Sequence, residues 1–385
     1  MANFDALQHE MTAWRRDLHR HPEFGFEEQR TAAFVAAKLR DFGLDEVVEG
    51  VGGTGVVATL KRSTGNRSIA LRLDMDALHI QEQGDHDYRS QSRGLMHACG
   101  HDGHTAMLLG AAKLLSEEGG FEGTVRFVFQ PAEEWGKGAL AMLDDGLMER
   151  FPFEEVYGLH NMPGLPVGHV QTRVGAIMSA EDNFAIVLKG VGGHAARPDW
   201  GNEVLVAACA TVMNLQTIVS RRLSPTDAGV VSVTELVTDG ARNALPGLAR
   251  ILGDARSFRP EVSAEIEKQM RAIAEGTALT YNVAVDVTYT REFVPLVNDR
   301  DLVDEAFAAA RTVFAPEQVS DAPEPMTGSE DFARFLEHVP GCFLFVGNGE
   351  HSAPLHNPNY DFNDEGLIHG AHLHAAIVRR RMPCT

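Results

Sequence analysis

The sequence predicts an α/β protein: a three-layer domain with a mainly parallel sheet, interrupted by an inserted ferredoxin-like α+β domain. Three observations carry this expectation. Strands that are apolar on nearly every residue alternate with helices over the first half of the chain, as in a sheet covered on both faces. Beyond Ala180 the order changes to strand, helix, strand, strand, helix, strand, and the earlier style resumes after Thr290. At 385 residues the chain also exceeds one ordinary core, for which about 100–200 residues is usual. The expected boundaries are 1–180 with 291–385 for the first domain and 181–290 for the insertion.

Phe4, Leu7, Met11, Trp14 and Leu18 recur at steps of three and four, so the chain opens with an amphipathic helix. A second helix over 28–42 stops at Gly43, which suits the left-handed position after a helix end. Strands at 56–60 and 68–73, a helix at 103–115, a strand at 124–129, a helix at 138–148 and a strand at 156–159 complete the first alternating run. The insertion reads as strand 183–189, helix 203–222, strands 229–236 and 250–258, helix 261–279 and strand 283–290. Val283, Val285, Val287 and Tyr289 alternate with other residues, as on a sheet with helices on one face. Helices at 300–314 and 329–336, a strand at 342–346 and a helix at 364–380 return to the first domain, and the Pro-rich stretch 322–325 is a loop. On the last helix, His369, His372 and His374 read as a solvated face opposite Leu367, Ala371 and Val378.

The formal charge of -20 spreads acid along the whole chain, which excludes the basic stripe that nucleic acid or an anionic membrane requires. No apolar run is expected to approach the ~20 residues of a membrane span, and the first residues lack the basic and apolar regions of a leader, so a cytoplasmic location is expected. Four sparse cysteines, Cys99, Cys209, Cys342 and Cys384, fit a reducing compartment.

The polar residues of chemical interest share an address. Asp74 and Asp76 end one predicted strand, Glu133 and Glu134 follow another, His160 closes a third and His356 lies beyond a fourth. In an open α/β sheet, groups at the carboxyl ends of strands converge on one crevice. Just upstream of a helix, Met96-His-Ala-Cys-Gly-His-Asp-Gly-His104 sets Cys99 and His101 two apart, where a non-helical loop can turn both toward one cation. Thiol, imidazole and carboxylate together suit a borderline divalent ion such as Zn2+, Mn2+, Ni2+ or Co2+. Cys99, His101, Glu134, His160 and His356 exceed the donors that one tetrahedral zinc takes, which favours two divalent metal ions. Neighbouring side chains in extended backbone diverge, so of Glu133 and Glu134 one binds and the other is left as a base. Asp74 and Asp76 are expected to orient a ligand or cap the strand end.

These segments now match a known group. His19-Arg-His-Pro-Glu-Phe-Gly-Phe-Glu-Glu28, Leu73-Asp-Met-Asp-Ala-Leu78, Met96 to His104, Gln130-Pro-Ala-Glu-Glu134, Gly158-Leu-His-Asn161, Gly192-Gly-His-Ala-Ala-Arg-Pro198, Gly328-Ser-Glu-Asp-Phe332 and Leu355-His-Asn-Pro-Asn-Tyr-Asp-Phe362 resemble the aminoacylase-type metallo-amidohydrolases. That family includes hippurate hydrolase, plant auxin-conjugate hydrolases and N-acetyl-diaminopimelate deacetylase, and the match covers nearly the whole chain.

The resemblance implies a dinuclear site on Cys99, His101, Glu134, His160 and His356, with Glu133 as general base. It implies that His194, in the insertion, binds substrate and takes part in catalysis. In related peptidases this histidine reaches the active site of a second subunit, which implies a homodimer or higher homo-oligomer through the inserted domain. Asn243 and Arg256 match residues that hold the substrate carboxylate. The implied reaction is hydrolysis of the amide bond of an N-acyl amino acid. A dipeptidase or carboxypeptidase would use the same chemistry, whereas a silent ligand-binding relative would have lost part of the site. The chain departs from the family at His79, where proline usually follows Asp-Met-Asp-Ala-Leu, and in Gln81-Glu-Gln-Gly-Asp-His-Asp-Tyr88. His19 and His21 read as packing or capping residues without assigned chemistry.

Overall fold

In the computed structural model, which describes residues 4–63, 65–322 and 324–384, the chain divides into two compact units. The first comprises Met1–Ile177, Val297–Glu324 and Glu330–Thr385, and the second Met178–Leu296 with Pro325–Ser329. Pro323, inside the expected loop 322–325, lies outside the described residues.

The first unit is built on an eight-stranded sheet in the order Glu46–Val51, Gly55–Arg62, Gly123–Gln130, Ser68–Asp74, Glu155–Pro163, Gly341–Gly349, Val170–Thr172, Val319–Asp321. Its centre is parallel: Ser68–Asp74 pairs in parallel with Gly123–Gln130 and Glu155–Pro163, and the latter with Gly341–Gly349. These strands are apolar on both faces because helices cover them, and six of the seven residues of Ser68–Asp74 are buried. Helices Phe4–Arg20, His101–Glu118 and Leu367–Arg381 pack together in this unit. The stripe Leu7, Met11, Trp14 and Leu18 is the buried one. His101–Glu118 is buried on nearly every side, as a helix without a polar face must be. A side chain at its Gly110 would meet Met11 Sδ at 2.6 Å and Ala371 Cβ at 3.0 Å, so glycine sets how closely the three helices approach.

Several expectations for this unit are corrected. The predicted helix 138–148 is broken at Gly146, which adopts φ +78°, into Gly138–Asp144 and Leu147–Arg150. The predicted helix 329–336 is a 3-10 helix, Asp331–Glu337, capped by the Glu330 carboxylate on the Phe332 N–H. The strands Glu46–Val51, Val170–Thr172 and Val319–Asp321 were not expected; they are short or half exposed and lack a strong apolar signal. His374 is fully buried rather than solvated, on a helix that packs against two others.

The second unit has an antiparallel sheet in the order Gly229–Thr238, Leu248–Ser257, Ala180–Lys189, Ala284–Phe293. With helices Val204–Thr217 and Pro260–Tyr281 this is the ferredoxin-like arrangement. Alternate residues of Ala180–Lys189 are buried, and Phe184, Ile186 and Leu188 share a core with Val204, Ala208 and Leu215 of one helix and Ile266 and Met270 of the other. The stretch Val204–Arg222 corrects the reading that no apolar run nears a membrane span: its 19 residues are long and apolar enough to cross one by length and composition alone. In the second unit one face of it is buried, through Val204, Ala207, Ala208, Thr211, Leu215 and Ile218, while Leu205, Val206, Met213 and Val219 are exposed.

Candidate metal centre

The candidate donors lie toward the carboxyl side of the four central strands: Glu134 just past Gly123–Gln130, Cys99 and His101 farther along the segment after Ser68–Asp74, His356 beyond Gly341–Gly349, and His160 within Glu155–Pro163 rather than at its end. The backbone between them is held in unusual conformations. Gly100, between Cys99 and His101, has φ +95°, and a Cβ there would collide with the Asn161 amide and the Tyr360 hydroxyl. Only glycine lets both neighbours turn the same way. Asn161 Nδ2 donates to the Cys99 carbonyl at 2.6 Å, and the Tyr360 hydroxyl donates to Asn161 Oδ1 at 2.6 Å, which fixes the loop. Ala132 (φ +47°) bends the chain into the single turn Glu133–Trp135, with its N–H donating to Glu28 Oε1 at 2.9 Å. His356 (φ +63°) donates its N–H to the Ala98 carbonyl at 2.8 Å. A left-handed backbone at a non-glycine residue costs about 1–3 kcal/mol, and such strain collects at functional sites.

The ligand atoms of Cys99, His101 and His160 lie within 4.8 Å of one another; so do those of Cys99, Glu134 and His356, and those of His101, Glu133 and Glu134. Cys99 Sγ is 3.4 Å from His160 Nε2, and His356 Nε2 is 3.3 Å from Glu134 Oε1. His101 Nε2 is 4.0 Å from both Glu133 Oε2 and Glu134 Oε1. The six residues thus form one cluster. Asp76 holds it from behind: its Oδ1 is 3.1 Å from His101 Nδ1, and its Oδ2 accepts the Glu134 N–H at 3.1 Å. His160 Nδ1 donates to the Asn161 carbonyl at 2.6 Å, which leaves its Nε2 lone pair toward the cluster.

His101 Nε2 and Glu134 Oε1 are buried without a well-directed hydrogen bond. Stranding such an atom costs about 1–3 kcal/mol, and a cation is a partner that satisfies a nitrogen lone pair and a carboxylate oxygen together. The donor set of thiol, imidazole and carboxylate therefore fits divalent metal.

The electrostatics point the same way. Burial, reinforced by Glu330, Glu134 and Asp331, pushes Glu133 well above the usual carboxylate range. Burial would raise Glu134 too, but His356 and His101 beside it hold it below that range. Burial, with Glu134 and Glu133, lifts the Cys99 thiol well above its ordinary value. Burial opposes charge on His101, yet Asp74 and Asp76 overcome it and carry the imidazole up to about 10. Protons fill the centre where a cation would otherwise balance this acid, and a bound cation would expel them from thiol, imidazole and the Glu133 carboxyl.

Asp74 stands 3.8 Å from His101 Nε2 and also serves other partners. Its Oδ1 is 2.6 Å from His104 Nδ1, and His104 Nε2 accepts the Asn161 N–H at 3.0 Å, so that lone pair is already used. Asp74 also pairs with Arg72, a fully buried guanidinium that reaches Glu330 at 3.0 Å, Asp331 at 2.8 Å and Gln130 at 2.7 Å. Asp331 in turn accepts the Ala139 N–H at 2.9 Å. His104, Arg72, Asn161, Tyr360, Glu330 and Asp331 were not singled out in the sequence. All but Arg72 stand inside quoted motifs; no sequence signal paired Arg72 with them.

The remaining predicted residues belong to the second unit. His194 is exposed on a two-residue strand paired with Ala244, and its Nδ1 accepts the Ala196 N–H at 3.1 Å, so its proton sits on Nε2. Asn243 is exposed next to it, with its carbonyl accepting the Ala195 N–H. Arg256 faces Glu181 across the sheet at 2.9 Å and holds Asp254 at 2.8 Å, so carboxylates of its own unit already engage its fork. In the first unit, the departure at His79 places that ring 3.9 Å from Phe24, which meets Trp135 edge-on at 5.0 Å.

The family model of peptidase family M20/M25/M40 matches residues 70–380. The chain is 37% identical over 372 residues to a hippurate hydrolase of Campylobacter jejuni, covering 97% of this chain and 96% of that protein. It is 36% identical over 373 residues to an N-acetyl-L-cysteine deacetylase of Bacillus subtilis, covering 96% and 88%. A solved Bacillus subtilis structure described as a dinuclear metal binding peptidase from the M20 family superposes with a TM-score of 0.87 at 32% identity, over 98% of this chain and 99% of that one.

Proposed function

The chain belongs to peptidase family M20/M25/M40 and is a metal-dependent amidohydrolase, and we propose that it cleaves the amide bond of N-acyl amino acids, releasing a carboxylic acid and a free amino acid. The observation that carries this reading is the cluster of Cys99, His101, Glu134, His160 and His356 around two unsatisfied buried atoms, with Glu133 beside it. These five residues would hold two divalent ions, which would supply the positive charge that favours ionisation of water at neutral pH.

Glu133 takes the proton from the attacking water and delivers it to the departing amine. Glu133 and Glu134 both stand 4.0 Å from His101 Nε2, but of the two it is Glu134 that also has His356 beside it, at 3.3 Å, which supports that division of labour. Asp76 keeps His101 oriented, and Asp74 with His104 keeps the segment carrying Cys99 in place. His194, with its proton on Nε2, donates to the developing oxyanion, and loss of one such donor costs about 10²–10³-fold in turnover. Asn243 and Arg256 receive the substrate carboxylate, for which Arg256 exchanges its hold on Glu181. His194 acts on the substrate of a second copy in a homodimer or larger homo-oligomer. The peptidase description of the solved relative supports a second reading, a dipeptidase or carboxypeptidase.

A substrate panel decides between them. After reconstitution with Zn2+, Mn2+, Ni2+ or Co2+ separately, N-acetyl and N-benzoyl amino acids are cleaved and dipeptides with a free α-amine are not. Preference for the dipeptides overturns the first reading.

A further inference from the structure

Apart from the metal centre, the first unit holds a second convergence of metal-binding side chains. His19 ends the opening helix, and Glu82 and His86 come from the stretch Gln81 to Tyr88 that departs from the family pattern. Their ligand atoms all lie within 4.8 Å of one another. Both imidazoles address one oxygen: Glu82 Oε1 is 3.1 Å from His19 Nε2 and 2.6 Å from His86 Nε2. His86 Nε2 is nevertheless buried without hydrogen-bond geometry, so proximity to Glu82 does not satisfy it.

Each donor is held from behind. His19 Nδ1 is 2.8 Å from Asp102 Oδ2, the carboxylate–imidazole arrangement that aims the other ring nitrogen at a metal. Glu82 Oε2 accepts the Ser90 N–H at 2.6 Å, which presents Oε1 to the two rings. The His86 ring stacks on Tyr88 with centroids 4.3 Å apart, and the Tyr88 hydroxyl donates to Asp361 at 2.5 Å.

Charge accounting agrees. Arg15 pairs with Asp102, Asp361 and Asp364, and Arg16 shares Asp364. With Glu82 that makes four carboxylates against two guanidinium groups, leaving two negative charges for the histidines or a bound ion to balance. His19 and Glu82 are nearly closed off, with side-chain exposures of 0% and 3%, whereas His86 is 19% exposed and gives an ion its way in.

We propose that His19, Glu82 and His86 form a separate divalent-cation site, suited to Zn2+, that ties the segment Gln81 to Tyr88 to the opening helix. Two imidazoles and a carboxylate are a recognised zinc donor set, with water in the fourth position. The site shares no ligand with the Cys99–Glu134 cluster, and Glu82 and His86, two of its three donors, lie where this chain departs from the family pattern.

The test compares ion counts. Full-length protein is saturated with Zn2+, desalted and analysed by mass spectrometry, and the wild type carries one more zinc per chain than His86→Ala. Because His86 is partly exposed in a loop, this variant keeps the fold, and the difference does not depend on how many ions the other centre holds. In parallel, Co2+ titration of the wild type shows a visible absorption component for a low-coordinate nitrogen and oxygen site that His86→Ala lacks. Equal zinc counts together with identical Co2+ spectra overturn the proposal.

Discussion

Asp76 Oδ1 lies 3.1 Å from His101 Nδ1, so one buried carboxylate fixes the ring whose far nitrogen stands unpartnered in the metal centre. The other oxygen of the same carboxylate accepts the Glu134 N–H, which couples two donors from different segments to one anchor.

Removing that anchor has a defined consequence. In Asp76→Ala the first-bound metal weakens about 10–100-fold, the usual effect of deleting a carboxylate behind a ligating histidine. Competition with a coloured chelator measures it, and unchanged affinity would show that Asp76 does not orient His101.

Glu133→Gln keeps the shape and removes the base. Turnover of an N-acyl amino acid falls by about 10²–10⁴-fold while metal content stays at the wild-type level. Wild-type turnover in this variant would rule out Glu133 as the proton carrier.

Arg72→Met tests the support beneath the centre. It leaves Asp74, Glu330 and Asp331 facing one another without their shared cation. Breaking a buried network this way costs about 3–5 kcal/mol, read from urea unfolding of the full chain. A loss below about 1 kcal/mol, the range of an exposed pair, would contradict the role assigned to Arg72.

His374 makes stability depend on acid. Burial, helped by nearby His104, lowers it to about 3, from an ordinary value of about 6.5. Above pH ~6.5 the ring is neutral in both states and adds no pH dependence. As pH falls from there toward 3, the unfolded chain takes up a proton that the folded chain refuses, so stability is lost across that window. His97, lowered to about 4 mainly by burial, adds to the loss over the upper part of it. Urea unfolding at pH 7.5 and pH 5 shows a smaller drop in His374→Leu than in wild type, and equal drops contradict the assignment.

The central strands and the second unit's strand and helix order were legible because their signals are strong: unbroken apolar runs for a covered parallel sheet, alternation for a half-covered one. Edge strands such as Val319–Asp321 were not, since three residues carry no period. The burial of His374 was hidden because its helix packs against two others, so its polar residues do not mark a solvent face. In the centre, strand ends named the cluster, but its anchoring did not show. That His104 spends Nε2 on the Asn161 backbone, and that Arg72 gathers acids from position 74 and from 330 and 331, are facts of three-dimensional pairing between distant segments.

The most direct measurement strips the protein with a chelator and restores divalent ions stepwise, following N-acyl amino acid cleavage and bound metal together. Stripping should abolish cleavage, and activity should return as the chain takes up two ions that a His101→Ala, Glu134→Ala double variant cannot hold. Undiminished cleavage by ion-free protein, or equal uptake by wild type and double variant, would contradict the account.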